Sequence, residues 1–363
     1  MRIARPPLSV LVLLALLIFP ALARAQTVQG RVTEAGSGDG VAGAIVLLLD
    51  EAGARQGATL SDPSGAYRLT APGPGTYRLR VERVGFAAST SAPVRLEAGQ
   101  TLQQALAAES RRVVLEAVVA TGAARRCAGE LHGGAQAATL WDEARKALLS
   151  TTLSAQAGRY RFVTETRERE TSLDGRRVLR DQATRDTTDG LPFGSNAVES
   201  LVDGGYVLLS PRRVVVYGVD AAAILSDAFL AHHCFGLRDG GTEQPGLVGL
   251  EFVPLEGHLQ PDVQGVLWMD RATAELRFVE YGYTRLRFRG PVDRLTGRLD
   301  FRRLPGGAWV TESWTLVIPV LQTEAGLDRV GNMDSYRIRT LVHRSGRVVS
   351  MQRVVMDADT AGR

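Results

Sequence analysis

His232, His233 and Cys234 stand in a row, the tightest grouping in the chain of side chains that bind metals or attack carbonyls. Neighbouring residues of a helix point about 100° apart, so three in succession reach one ion only through irregular backbone. The other histidines, His132, His258 and His343, are scattered, and no H-x-x-E or H-E-x-x-H spacing accompanies them. Gly38-Asp39-Gly40-Val41-Ala42-Gly43 fits G-x-G-x-x-G. A dinucleotide site needs a helix N-terminus there, whereas the apolar strand pattern Ala44 to Leu49 follows. Neither a G-x-S-x-G elbow nor a Walker lysine occurs. Glu165, Glu168, Glu170 and Asp174 lie among arginines and read as a solvated, salt-laced strand and turn rather than a glycosidase pair. Lys146, the single lysine, is the one candidate for Schiff-base chemistry, and its amphipathic helical setting reads as a solvated face. No catalytic residue, metal ligand or cofactor is expected.

Two groups remain. Cys127 and Cys234 are the only cysteines, and a bond between them would close a loop of about 107 residues, worth roughly 4–5 kcal/mol in the chain-entropy model. Two buried free thiols are the alternative. Trp268, Trp309 and Trp314 with Tyr281 and Tyr283 lie on strand-like stretches and are the candidates to line a ligand concavity, against the plainer reading that they are core.

The start of the chain bears on the cysteines. Arg2 and Arg5 precede an apolar run from Leu8 to Phe19, and Ala23-Arg24-Ala25 offers a small-x-small cleavage site before Gln26. The run is too short to span a bilayer as a helix, so residues 1–25 read as a secretory signal. An oxidising compartment favours the disulfide. Without Arg2, Arg5 and Arg24 the formal net charge falls from +4 to +1, and nucleic acid loses its electrostatic warrant as a partner. At 45% hydrophobic and 23% charged residues, the chain is ordinary globular protein.

From Val28 to about Thr121 short alternating runs are separated by turn residues, the pattern of a small antiparallel sandwich. Gly30-Arg31-Val32, Val41-Ala42-Gly43-Ala44, Ser61-Asp62-Pro63-Ser64-Gly65-Ala66-Tyr67, Gly75-Thr76-Tyr77-Arg78-Leu79 and Val84-Gly85-Phe86 follow in order. This succession resembles the carboxypeptidase regulatory-like domain, with Ser61 in place of the usual Thr and Val41-Ala42 in place of the Pro step. The resemblance implies a transthyretin-like seven-stranded β-sandwich over residues 26–121 that is not catalytic. Leu115 to Gly122 resembles the segment that follows such sandwiches in TonB-dependent outer-membrane receptors. Too few residues remain after it for a plug and a barrel.

A Gly/Ala linker (122–138) leads to a second, mainly β domain, 139–357, with helices expected near 139–149, capped by Thr139, and near 220–231, capped by Asp220. Its later strands, with hairpin turns at Asp270-Arg271-Ala272-Thr273 and Pro305-Gly306-Gly307, imply a broad curved antiparallel sheet over those helices, before a flexible tail, 358–363. The hairpin from Leu267 to Tyr281 is similar to those of LolA-like half-barrels, which implies an apolar ligand in the concavity. The expected protein is a non-enzymatic exported protein of the periplasm or outer membrane, at most peripheral to the membrane. Its partner would be an envelope protein, a glycan or a lipid. A hydrolase with its site in the sheet domain, or an accessory to a TonB-dependent transporter, are the alternatives.

Overall fold

The computed structural model describes residues 26–110, 134–158, 160–195, 201, 204–210, 213–257, 259–323 and 336–354. The signal-like segment, Leu115 to Gly122, Cys127, His132, His258 and the tail from 358 lie outside these residues.

Ten strand segments form the sandwich: β1 (Gln26–Glu34), β2 (Ile45–Leu49), β3 (Arg55–Leu60), β4 (Ala66–Ala71), β5 (Gly75–Glu82), β6 (Phe86–Ala87), β7 (Ser89–Thr90), β8 (Val94–Leu96), β9 (Thr101–Gln103) and β10 (Leu106–Ser110). One sheet runs β4-β1-β10-β6 with β9 also on β1, and the other β3-β2-β5-β7 with β8 also on β5. The architecture is the expected sandwich, its edges broken into two- and three-residue pieces. Period-two burial builds it: in β4, Tyr67, Leu69 and Ala71 are buried while Ala66, Arg68 and Thr70 are exposed. The turn before β4 is organised by Asp62, whose Oδ1 accepts from the Ser64 and Ala66 amides at 2.8 and 2.9 Å. Gly65 there has φ +88°, a conformation few side chains tolerate. Ser61 supplies the hydroxyl that Thr would, donating to the Val41 carbonyl and accepting from the Ala44 amide.

The second part contains α1 (Gly134–Gln156), the hairpin β11 (Tyr160–Ser172) and β12 (Val178–Thr188), the small ribbon β13 (Val207–Ser210) and β14 (Arg213–Val216), and the short helices α2 (Ala221–Leu225) and α3 (Asp227–His232). A meander completes it: β15 (His233–Asp239), β16 (Leu247–Pro254), β17 (Asp262–Asp270), β18 (Leu276–Thr284), β19 (Thr296–Arg303), β20 (Trp309–Thr323) and β21 (Tyr336–Arg353). These form one nine-stranded sheet, β12-β11-β21-β20-β19-β18-β17-β16-β15, antiparallel throughout. The inner face packs on α1 and the 201–232 segment.

Helix ends differ from the sequence reading for local reasons. α1 begins at Gly134, and Thr139 lies inside it, its hydroxyl donating to the Ala135 carbonyl rather than capping. Asp220 does cap α2, accepting from the Ala223 amide. The stretch expected as one helix is two, because Ser226 ends α2 and its hydroxyl accepts from the Phe229 amide to start α3.

The two parts share a core. Ile45, Leu47 and Leu60 of the sandwich, Leu149 and Leu153 of α1, and Phe162, Leu304 and Val310 of the sheet bury one another. β2 is apolar at successive positions because both its faces are covered: Val46 and Leu48 point into the sandwich, Ile45 and Leu47 into this shared core.

Candidate functional site

The inner concavity of the large sheet is filled by the chain itself. Tyr281, Tyr283, Trp309 and Trp314 are all buried in the main core beneath α1 and the 201–232 segment. The Tyr281 hydroxyl accepts from the Val219 amide at 2.9 Å, and the Tyr283 hydroxyl donates to the Tyr217 carbonyl at 2.7 Å. Phe193 lies against Trp314, ring centroids 5.7 Å apart. Burial pushes the Tyr206, Tyr281 and Tyr283 phenols above their ordinary range, and Tyr281 and Tyr283 serve as neutral hydrogen-bonding core groups. The apolar concavity expected of a half-barrel is therefore occupied by this protein's own helices.

Trp268 is separated from the other four. It alternates with Leu267 and Met269, which enter the inner core, so Trp268 sits on the outer face with Val266 and Phe278. Its indole N–H donates to Glu280 Oε1 at 2.7 Å. The Arg298 guanidinium lies over the Phe278 ring, 3.6 Å from its centroid, and is held by Asp300, which also accepts from the Ser313 hydroxyl.

Beside this cluster the outer face has an open depression of about 520 Å³. Strand register aligns its lining. Glu251, Val266, Glu280, Arg298 and Thr315 are successive cross-strand neighbours from β16 to β20, and Gln264, Gly282 and Thr296 form the next row. Gly282 leaves the floor low, since a Cβ there would meet nothing nearer than 3.7 Å. The groove thus presents two carboxylates, the guanidiniums of Arg298 and Arg238 (the latter 3.4 Å from Glu251), an amide and two hydroxyls around a small apolar patch. Such a mixture satisfies both donors and acceptors of a hydroxyl-rich ligand.

The other sequence candidates are placed as follows. His233 is buried, with its ring nitrogens at 2.9 Å from the Phe229 carbonyl and 3.0 Å from the Val263 carbonyl, and it stacks on Phe229. His232 Nδ1 lies 2.7 Å from the Ala228 carbonyl. Cys234 is buried at the start of β15; its expected partner Cys127 is outside the described residues. Among the described residues no group of three His, Cys, Asp or Glu could hold a metal ion. Glu165 and Glu168 pair with Arg347 and Arg344 across the sheet.

Lys146 is not on a solvated face: it is 2% exposed. Its Nζ reaches Asp142 and Glu143 at 2.8 Å and donates to the Phe86 carbonyl at 3.1 Å. Glu143 in turn accepts from the Gly85 amide at 2.9 Å, and Arg145 pairs with the buried Glu82. The Val84-Gly85-Phe86 turn of the sandwich is thereby clamped to α1. Burial and the neighbouring Arg303 lower the adjacent Arg83 guanidinium to about 10.

Sequence reading missed the groove residues Glu251, Gln264, Glu280 and Arg298. Their one signal was polarity at alternate positions of otherwise apolar strands.

Residues 27–109 match the family model of the carboxypeptidase regulatory-like domain. This stretch is the sandwich β1–β10, which is such a domain and amounts to under a quarter of the chain. No curated protein matches the chain. Solved structures similar in part include the Bacillus anthracis TIE protein, 12% identical over 47% of this chain and 27% of its own length, with a TM-score of 0.21. A minor pilin of Streptococcus agalactiae is 15% identical over 27% of this chain and 48% of its own, with a TM-score of 0.20. A DUF1329 family protein from Desulfovibrio piger is 11% identical over 61% of this chain and 95% of its own, with a TM-score of 0.29. The chain thus spans under half the length of the first two. No described helix is long and apolar enough to cross a membrane.

Proposed function

We propose that this chain is a non-catalytic, exported contact protein of the cell envelope that binds a hydroxyl-rich ligand, such as a glycan segment, on the outer face of its large sheet. The observation that carries the reading is the open groove in which Glu251, Gln264, Glu280, Thr296, Arg298 and Thr315 converge over Gly282. A carrier of free lipid is a poorer account, because the inner concavity is packed with core side chains. The carboxypeptidase regulatory-like domain supports a contact role for the sandwich.

A glycan array probed with the mature chain, followed by calorimetric titration of the best hit, tests this. Gln264→Ala and Thr296→Ala remove exposed groups from the groove, and each is expected to weaken binding roughly threefold to tenfold, the worth of one hydrogen bond of about 1 kcal/mol, with an unchanged melting temperature. Absence of glycan binding, or binding indifferent to both variants, overturns the reading. Conversion of the glycan instead of retention would point to the hydrolase alternative, with Glu251 and Glu280 as its carboxylates.

Export also bears on the cysteines. A Cys127–Cys234 disulfide in the mature chain is expected to make its non-reduced mass two hydrogens lighter than the dithiol. A full thiol mass for protein isolated from the envelope rules the bond out.

A further inference from the structure

β12 is an 11-residue strand at the end of the nine-stranded sheet, paired with β11 on one side only among the described residues. Ten of its residues are exposed, so neither face is covered. Two of the large hydrophobic side chains exposed on the described surface, Val178 and Leu179, lie at its start. Long open edges are ordinarily blunted by proline, charge, a bulge, short length or a covering segment. β12 has no proline, no described strand pairs with its outer edge, and its protection is its charges and an irregularity at Leu179.

Its charges are arranged for a particular neighbour. The segment Arg180-Asp181-Gln182-Ala183-Thr184-Arg185-Asp186 is self-complementary when laid antiparallel on itself about Ala183. In that register Arg180 of one copy faces Asp186 of the other, and Asp181 faces Arg185. Two-fold symmetry makes four opposite-charge cross-strand contacts, all between directly opposed positions whose side chains share a face. Because the same edge of each copy must face the other, the neighbouring antiparallel registers are slipped by two residues, and they set the charges only against neutral side chains, Arg180 against Thr184 or Thr188. Parallel, in-register pairing would set every charge beside its own kind. One antiparallel register alone pairs opposite charges, and the parallel alternative is repelled.

The existing contacts are compatible with this. Asp181 is held by Arg167 in a two-pronged pair at 2.7 and 2.5 Å, which fixes the carboxylate, and Arg180 donates to Gln182 on the same strand. We propose that β12 pairs with β12 of a second copy, so that two nine-stranded sheets become one across a two-fold axis at Ala183.

Sedimentation velocity on the mature full chain tests this, with circular dichroism melts to show that each variant is folded. The wild type is expected to dimerise. Arg180→Asp sets Asp against Asp186, and Asp186→Arg sets Arg against Arg180. Each alone is expected to weaken dimerisation at least tenfold. Mixing the two single variants restores opposite charges and is expected to give a heterodimer, and R180D/D186R in one chain is expected to restore the homodimer. A wild type that stays monomeric up to its solubility limit overturns the proposal and leaves the edge to a strand from another protein. A dimer that both single variants leave intact overturns it equally.

Discussion

Replacing Glu143 by alanine is expected to destabilise the protein by about 3–5 kcal/mol, the usual consequence of stranding a buried charge. Glu143 and Lys146 are both almost fully buried where α1 meets the sandwich. Their 2.8 Å contact neutralises the lysine, and the second carboxylate oxygen takes up the Gly85 amide. Alanine removes both at once. Lys146 would keep only the half-exposed Asp142 carboxylate and the Phe86 carbonyl. Replacing both charges with apolar side chains, Glu143→Leu with Lys146→Met, is expected to cost clearly less than the single change, because no uncompensated charge remains. Urea unfolding of the three proteins measures this. A single-variant loss below about 1 kcal/mol would mean that the pair is solvated and that the sandwich is not clamped through it.

Gly307→Ala should be nearly as damaging, by a different route. Gly307 lies in the β19–β20 turn with φ +81°, and a Cβ there would stand 2.2 Å from the Ala42 carbonyl oxygen of the sandwich and 3.0 Å from Gly43 Cα. Gly43 has φ +67°, and its own added Cβ would strike Gly307 backbone at 2.3 Å. Two backbones meet here with no room for a methyl group. The left-handed conformation costs an alanine about 1–2 kcal/mol, and overpacking adds about 1–3 kcal/mol. The clash is relieved only by lifting the turn from the sandwich, so faster limited proteolysis at this junction is expected beside the lower melting temperature. Gly306→Ala is the control: its nearest neighbour would be the Tyr160 hydroxyl at 3.7 Å, and it should change little. Equal effects at 306 and 307 would show that the turn does not bear on the sandwich.

Both predictions concern the same fact, that the sandwich is joined to the rest through a common core and is not a bead on a linker. A fragment ending at residue 110 would expose Ile45, Leu47 and Leu60, which the second part buries.

What local sequence determined is what local physics controls. The turn residues Asp62 and Gly65 and the period-two burial of β4 needed only backbone geometry and neighbouring residues, and so the sandwich was legible. The all-apolar run of β2 even carried the information that both its faces are covered. The same local logic read the Asp220 cap correctly.

Tertiary structure alone decided which face of each element would be covered, and by what. Lys146 reads as a surface residue on an isolated amphipathic helix, but α1 lies between sheet and sandwich, so two of its sides are buried and its charges must find partners there. Strand periodicity places Trp268 and Tyr281 on faces of their strands; only the cross-strand register puts them on opposite sides of one sheet. The groove is the extreme case. Glu251, Gln264, Glu280, Arg298 and Thr315 come from five different strands, and no spacing in the chain signals their convergence. Hydrogen-bond register, a property of paired backbones rather than of any one segment, brings them together.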